Sequence, residues 1–516
     1  MALSLGTSFP GVLPDWTNVD VIHRNTLPPR AHFYPYASEE AALSFNRSES
    51  EIHDLSGLWK FHYDPSPWDA PVWETANVTE WDDIEVPGMW QRQGYGAPQY
   101  TNIDYPFPVM PPNVSYVNPT GSYWREFDVP EDWSGDQQIR LRFEGVDSAF
   151  HVWVNGEEVG YSQGSRDPHE FDITDYLSED GGNSVAVRVY QWSDASYLED
   201  QDQWWLSGIF REVYLVPFSK SAIVDYRVTT DVDDDFETAT LYVNVTTQGD
   251  KGDLRVELLE PGGQTLDDWK GPSTQVYKRK IEGDEFELWS AENPYLYTVL
   301  ISFNGRVISQ KVGLRRVEIV GSNFHVNGKP ITIYGVNKHE HHPQGGRTVP
   351  YDFAREDLKR VKRANVNAIR LSHQPPHPDV LALADELGLY VIAETDLECH
   401  GFLKVTTAEN AHTFTTSNPD WEEAYVYRVR QLVERYKNHA SIIIWSLGNE
   451  CFYGSNIEAM ASWLRDNDRT RVTQYEPDKY AESVDMYSQM YPSPDQVRQF
   501  ISEHNDKPFI LCEFAQ

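Results

Sequence analysis

Cysteine is scarce in this chain: 516 residues carry three, Cys399, Cys451 and Cys512. So few, and an odd number, cannot build a disulfide framework, and the usage fits a reducing compartment. Basic residues are also short, with 43 Lys and Arg against 80 Asp and Glu and a formal charge of -37. That balance excludes nucleic acid and anionic lipid as partners, because both need clustered cations. No apolar run approaches the roughly 18 residues of a membrane span. The opening "MALSLGTSFPGVLPDW" lacks a basic n-region and a sustained apolar region. The expectation is a soluble, cytoplasmic protein with no membrane partner. The sequons at Asn46, Asn77, Asn113 and Asn244 matter only on secretion and are discounted.

Aromatic residues, by contrast, are plentiful at 13%, including 17 Trp, which suits large cores and stacking on sugar rings. The length suggests about three domains at ~150 residues each. After an extended segment (1–49), residues 50–220 read as short alternating strands. Ile139, Leu141 and Phe143 share one face, and Val152 and Val154 lead into an Asn155-Gly156 hairpin turn. A jelly-roll-like antiparallel β-sandwich is expected there. Residues 221–320 repeat the pattern with Leu241, Val243 and Val245, then Leu254, Val256 and Leu258, as in an immunoglobulin-like sandwich.

From residue 321 strands alternate with helices. Asp352 is placed to cap one helix, Gly388 to close a second, and a third runs from Trp421 to Tyr436. The strands are "ITIYGV", "VNAIRLS", "LYVIAE", "IIIWSL", "RVTQYE", "VDMYSQMY" and "FILCEF". Seven parallel strands read as a (β/α)8 barrel that stops before strand eight. The chain up to Gln516 is therefore expected to be a truncated piece, inactive or nearly so by itself.

In such a barrel, chemistry sits at the C-terminal strand ends. Strand one ends in "NKHEHH", strand two in Arg370 and His373, strand three in Glu394, Glu398 and His400. Strand four ends in Asn449-Glu450 and strand seven in Glu513. Two glutamates facing each other across the mouth are the equipment of glycoside hydrolysis, and retention requires them about 5.5 Å apart. Asn449 is placed to bond a sugar hydroxyl. Cys451 and Cys512 read as packing residues, since no spacing supplies a base to activate them. "HEHH" lacks the HExxH spacing of a zinc protease. Glu398, His400 and Glu450 make a better trio, oxygen-rich enough to favour Mg²⁺, with Mn²⁺ as the alternative.

These residues lie in motifs that resemble β-galactosidases of glycoside hydrolase family 2: "WQRQGYGAPQYTN" (90–102), "SYLEDQDQWWLSGIFREV" (196–213), "GVNKHEHHP" (335–343), "NAIRLSHQPPHP" (367–378), "ETDLECHGF" (394–402), "IIIWSLGNE" (442–450) and "PFILCEF" (508–514). The resemblance spans nearly the whole chain. It implies Glu450 as acid/base, Glu513 as nucleophile, and Glu398, His400 and Glu450 as Mg²⁺ ligands. It further implies His339, His373 and Tyr491 around the sugar, Asn102 on a loop reaching in from the first sandwich, and Asp202 as a Na⁺ ligand near the sugar 6-hydroxyl. It also suggests homo-oligomers. The remaining Na⁺ ligands of the family would lie past Gln516, so Na⁺ stays an open expectation. Lys338, the "CFYG" after the acid and Gln516 depart from the family pattern.

The implied reaction is double displacement on a terminal β-D-galactoside such as lactose. Family 2 β-glucuronidases and β-mannosidases are the competing enzymes, and a glucuronidase should offer a cationic clamp that this sequence does not show. A non-catalytic carbohydrate-binding fragment is the reading from another class.

Overall fold

The computed structural model describes residues 13–515 except 74–75, 134–136, 179 and 251. Gln516, whose departure from the family pattern was noted above, lies outside the described residues.

The first sandwich pairs a seven-stranded antiparallel sheet with a four-stranded one. Their facing side chains, among them Trp59, Tyr123, Val152 and Val187 against Ile139, Leu141, Phe143 and Leu215, form one core. The expected hairpin joins Ala149–Val154 to Glu157–Gln163. Its turn residues have φ values of 52° at Asn155 and 83° at Gly156, the left-handed geometry that selects Asn-Gly. One element differs from the simple alternation of the sequence. In Gln137–Phe143 the opposite face is buried too, because Arg140 and Arg142 are covered and paired with Glu170 and Glu144. Glu144 also accepts from Arg435 of a barrel helix, so the barrel covers a face that alternation alone would leave wet.

The second sandwich has sheets of three and four strands over one core, in which Leu241, Val243, Leu254, Val256 and Leu258 are at most 1% exposed. Seven strands in this division suit an immunoglobulin-like fold.

The barrel region contains all seven expected strands: Gly335–Lys338, Ala368–Leu371, Tyr390–Glu394, Ile442–Ser446, Val472–Gln474, Tyr487–Met490 and Phe509–Glu513. The first five form a parallel sheet in chain order and the last two a parallel pair. Asp485 links the two sheets, donating its N–H to the Thr473 carbonyl at 3.1 Å and accepting from the Thr473 N–H at 2.8 Å. Every residue of Ile442–Ser446 is fully buried, as a central parallel strand requires. Helices follow strands one to four and strand six; Tyr351–Arg363 starts after Pro350, so Asp352 sits inside its first turn, where its charge still favours the helix N-terminus. Gly388 closes Pro378–Leu387 with φ 72°, as expected. A cavity of about 820 Å³ lies between the first and last strands and reaches Arg370 and Glu513. Among the described residues no helix is long and apolar enough to cross a membrane.

Candidate active site

Parallel strands deliver their final side chains to one rim, and Arg370 at the end of strand two organises that rim. Its guanidinium donates to Glu394 at 2.7 Å, to Glu513 at 2.8 Å and to the Asn449 side-chain Oδ1 at 2.8 Å. One planar fork thus ties the ends of strands two, three, four and seven together. Glu394 has no exposure and also accepts from His373 at 2.7 Å and Ser446 at 2.6 Å. Burial alone would raise its carboxyl, but Arg370 and then His373 outweigh that and bring it down to about 2.

Glu513 receives a second hydrogen bond from the Tyr491 hydroxyl. Burial, that bond and the negative charges of Glu513 and Glu450 raise the Tyr491 phenol. Tyr491 therefore lies in the field of both glutamates. His373 Nε2 is 3.8 Å from Glu513. His339 stacks edge-on to His373 at 5.5 Å and lies 2.7 Å from the Ser372 carbonyl. Burial, followed by the His373 charge, pushes His339 down to about 4, so it is neutral at physiological pH.

The ligand atoms of Glu398, His400 and Glu450 lie within 4.8 Å of one another. Glu398 is fully buried; Asn449 donates to its Oε2 at 2.8 Å, but its Oε1 has no partner. Burial raises its carboxyl strongly, and the charges of Glu450, Asp200 and Glu394 add to that against the Asn449 hydrogen bond. An orphaned buried oxygen among crowded carboxylates fits a divalent cation, which would satisfy the oxygen and neutralise the crowding. For Glu450, burial raises the carboxyl, but the His400 hydrogen bond at 2.9 Å and the charges of His400, His373 and Arg370 give a net lowering.

The first sandwich completes this side of the rim. The Asp200 N–H donates to the Glu398 carbonyl at 3.1 Å, and the Glu398 N–H to the Leu198 carbonyl at 2.8 Å. Asp200 accepts from the Gly401 N–H at 2.6 Å. A side chain at Gly401 would come within 2.5 Å of the Ile103 carbonyl, so glycine here lets the Asn102 loop lie against the His400 segment. A buried network of Arg166, Glu199, Asp396 and Arg428 locks the two domains behind it.

Glu513, Tyr491, Asn449, His373 and Glu398 are thus joined through Arg370 and Glu394, and the Glu450–His400 pair lies beside Glu398. His339 reaches it by contact with His373. Asp202 stands further out, accepting from Tyr100, while its neighbour Gln203 has its amide 2.8 Å from His339. Asn102 is exposed on its loop with φ 53° and makes no contact with the two glutamates that the structure shows. Asp200 and Glu476 were not picked out from the sequence. Glu476 lies just past strand five; burial raises its carboxyl and the charges of Glu450 and Glu513 raise it further, though Lys479 opposes them. Its signal was available, because it too sits at a strand end.

The cysteines, too few for a disulfide framework, still form one bond, which corrects the reading of Cys451 as a packing residue. Cys399 and Cys451 are joined in a disulfide with Cα atoms 4.6 Å apart, and only Cys512 is free. The segments after strands three and four run side by side because those strands are neighbours, and counting cysteines cannot register that proximity.

Two sandwiches ahead of a parallel barrel, the first lending loops to its rim, with carboxylates at the barrel's strand ends, define the class of multidomain barrel glycosidases. The chain belongs to glycosyl hydrolases family 2. The family's sugar binding domain model matches residues 52–218, a model described as glycosyl hydrolases family 2 matches 221–315, and its TIM barrel domain matches 317–516. A β-galactosidase of Kluyveromyces lactis is 42% identical over 96% of this chain and 53% of its own length. One from Psychromonas ingrahamii is 39% identical over 97% and 51%. The chain therefore spans about half the length of these relatives. Among solved structures, a Ruminococcus gnavus β-glucuronidase superposes with TM-score 0.73 at 20% identity, covering 90% of this chain and 84% of its own. A Bacteroides vulgatus β-glycosidase gives 0.71 at 22%, covering 90% and 59%. These two likenesses show the fold.

Proposed function

We propose that this chain carries the catalytic carboxylates of a retaining β-galactosidase acting on terminal β-D-galactosides such as lactose. The observation that carries the reading is the Arg370 bridge, which holds Glu513 and the residue next to Glu450 in one network with Tyr491. Glu513 is the nucleophile: Arg370 and Tyr491 hold its two oxygens, so its attack is aimed at one anomeric carbon. Glu450 transfers the proton, first to the leaving oxygen and then from water in the second displacement. His373, His339 and Asn449 line the approach of the sugar, and Asp202 and Asn102 mark its outer edge.

Glu398, His400 and Glu450 would hold Mg²⁺, or Mn²⁺ in its place. A bound ion would supply positive charge beside Glu450 and so tune the acid's proton affinity. Asp202 is offered as one Na⁺ ligand. Soluble, cytoplasmic, oligomeric action is part of the proposal, and the 39–42% identity to β-galactosidases supports the substrate class.

β-Glucuronidase is the second reading, because solved neighbours carry that name. A uronate needs a cation at the rim. At the described strand ends Arg370 is fully engaged and Lys338 is paired with Asp357 at 2.9 Å, which favours the neutral galactoside. Nitrophenol release, slow from this chain alone, is expected from the β-galactoside in preference to the β-glucuronide; the reverse preference overturns the assignment.

A further inference from the structure

The Cys399–Cys451 bond ties the segment after barrel strand three to the segment after strand four. Cys399 lies between Glu398 and His400, and Cys451 directly follows Glu450. Each member of the cation trio is therefore covalently next to one end of the crosslink. Both half-cystines are buried, at 0% and 4% exposure. Behind them the Tyr425 hydroxyl lies 3.7 Å from the Cys399 sulfur and 3.8 Å from that of Cys451. Thr415 and Thr416 hold this hydroxyl at 2.9 and 3.1 Å. The same hydroxyl cluster offers hydrogen-bonding partners to two separate thiols, so the pocket suits the reduced pair as well as the bonded one.

We propose that Cys399 and Cys451 are a redox-responsive positioning pair for the divalent-cation site. Bonded, they pin the two ligand-bearing segments together; reduced, they release them and cation affinity falls. The inference rests on the cation reading above. In the forming direction the two thiols give up two protons and two electrons to a small-molecule disulfide. One protein S–S bond forms, the small disulfide's S–S bond breaks, and two small thiols leave, by way of a mixed disulfide. A dithiol reductant runs the reverse exchange, and burial makes both directions depend on local opening of these segments.

The test is Mn²⁺ titration followed by electron paramagnetic resonance on the 516-residue chain in oxidised form, after dithiothreitol, and as Cys399→Ser/Cys451→Ser. Alkylation and mass measurement count thiols. Oxidised protein should show one free thiol and reduced protein three. Reduction and the double substitution should each weaken Mn²⁺ binding about 10-fold, the lower end of what loss of a ligand's supporting shell costs. Dithiothreitol should not shift the double variant further. If that variant fails to fold, reduced and oxidised wild type carry the comparison. Equal Mn²⁺ affinity in both redox states, with Glu398→Gln clearly weaker, overturns the redox inference and leaves the cation site standing. Three alkylatable thiols in protein treated with oxidised glutathione also overturn it. No Mn²⁺ binding by oxidised protein overturns the cation site and this inference with it.

Discussion

Arg370 donates to Glu513 at 2.8 Å from the opposite end of the barrel's strand order, linking strand two to strand seven. The same guanidinium neutralises Glu394, which has no access to water. Strand order is thereby converted into active-site geometry. A carboxylate at a strand end has its direction fixed by a buried partner whose other hydrogen bonds are satisfied.

Arg370→Ala would leave Glu394 charged and buried without its main counter-ion. Breaking a buried pair this way costs about 3–5 kcal/mol. Urea denaturation should show that loss. Arg370→Lys should recover only part of it, because an ammonium cannot serve three separated acceptors as the fork does. Full stability in Arg370→Ala would show that Glu394 is protonated or otherwise satisfied.

Glu450→Ala should lower turnover by about 10²–10⁴-fold on galactosides with poor leaving groups. Activated aryl galactosides, which need little protonation of the leaving oxygen, should suffer less in the first step. Steady-state kinetics across leaving groups checks this. An equal loss for all of them would point to a structural role.

Cation binding should depend on pH in a definite sense. Burial and neighbouring carboxylates hold the Glu398 carboxyl well above its ordinary value, so the folded chain keeps a proton there that the unfolded chain loses. Without a cation, stability contributed by this group is present below the unfolded pKa and falls as pH rises toward the folded one. A cation must displace that proton, so its affinity rises with pH across the same window. Mg²⁺ should raise Tm progressively more in a pH series taken upward from the ordinary carboxyl value, and calorimetry in two buffers should register proton release. Glu398→Gln should abolish both effects.

The barrel and first sandwich should also separate more easily at high pH. His377 lies 3.1 Å from Glu212 of the sandwich and 3.3 Å from Asp379. Burial disfavours its charged form, but Glu212 and Asp379 override that and raise it well above its ordinary value. Glu212 is drawn down to about 2: burial opposes this, but His377 prevails. Stability from His377 is fully present below its unfolded pKa and lost as pH rises through the folded one. Melting curves of His377→Gln should converge with wild type at high pH and fall below it near pH 6; a constant gap would mean the pair is uncharged.

Much of this was legible in the residues. Alternation placed Leu241 and Val243 in a sandwich core, Asn155-Gly156 in its turn, and the seven barrel strands in order, because each of those signals is local. The strand-end rule brought Glu398, Glu450 and Glu513 to one rim. What escaped depends on neighbours distant in sequence. The burial of Arg140 and Arg142 comes from a barrel helix some 290 residues onward, as the Glu144 to Arg435 pair shows. The Cys399–Cys451 bond follows from strand adjacency, and Asp200 matters because the sandwich backbone pairs with Glu398. Glu476 obeys the same strand-end rule, since it lies two residues past Val472–Gln474.

The most direct test of the central claim is covalent trapping. An activated 2-deoxy-2-fluoro-β-galactoside should slow the second displacement and leave a fluorosugar on the protein. Peptide mass mapping should place one sugar on Glu513, and Glu513→Gln should remain unlabelled and inactive. A sugar on Glu450, or continued turnover by Glu513→Gln, would contradict the account.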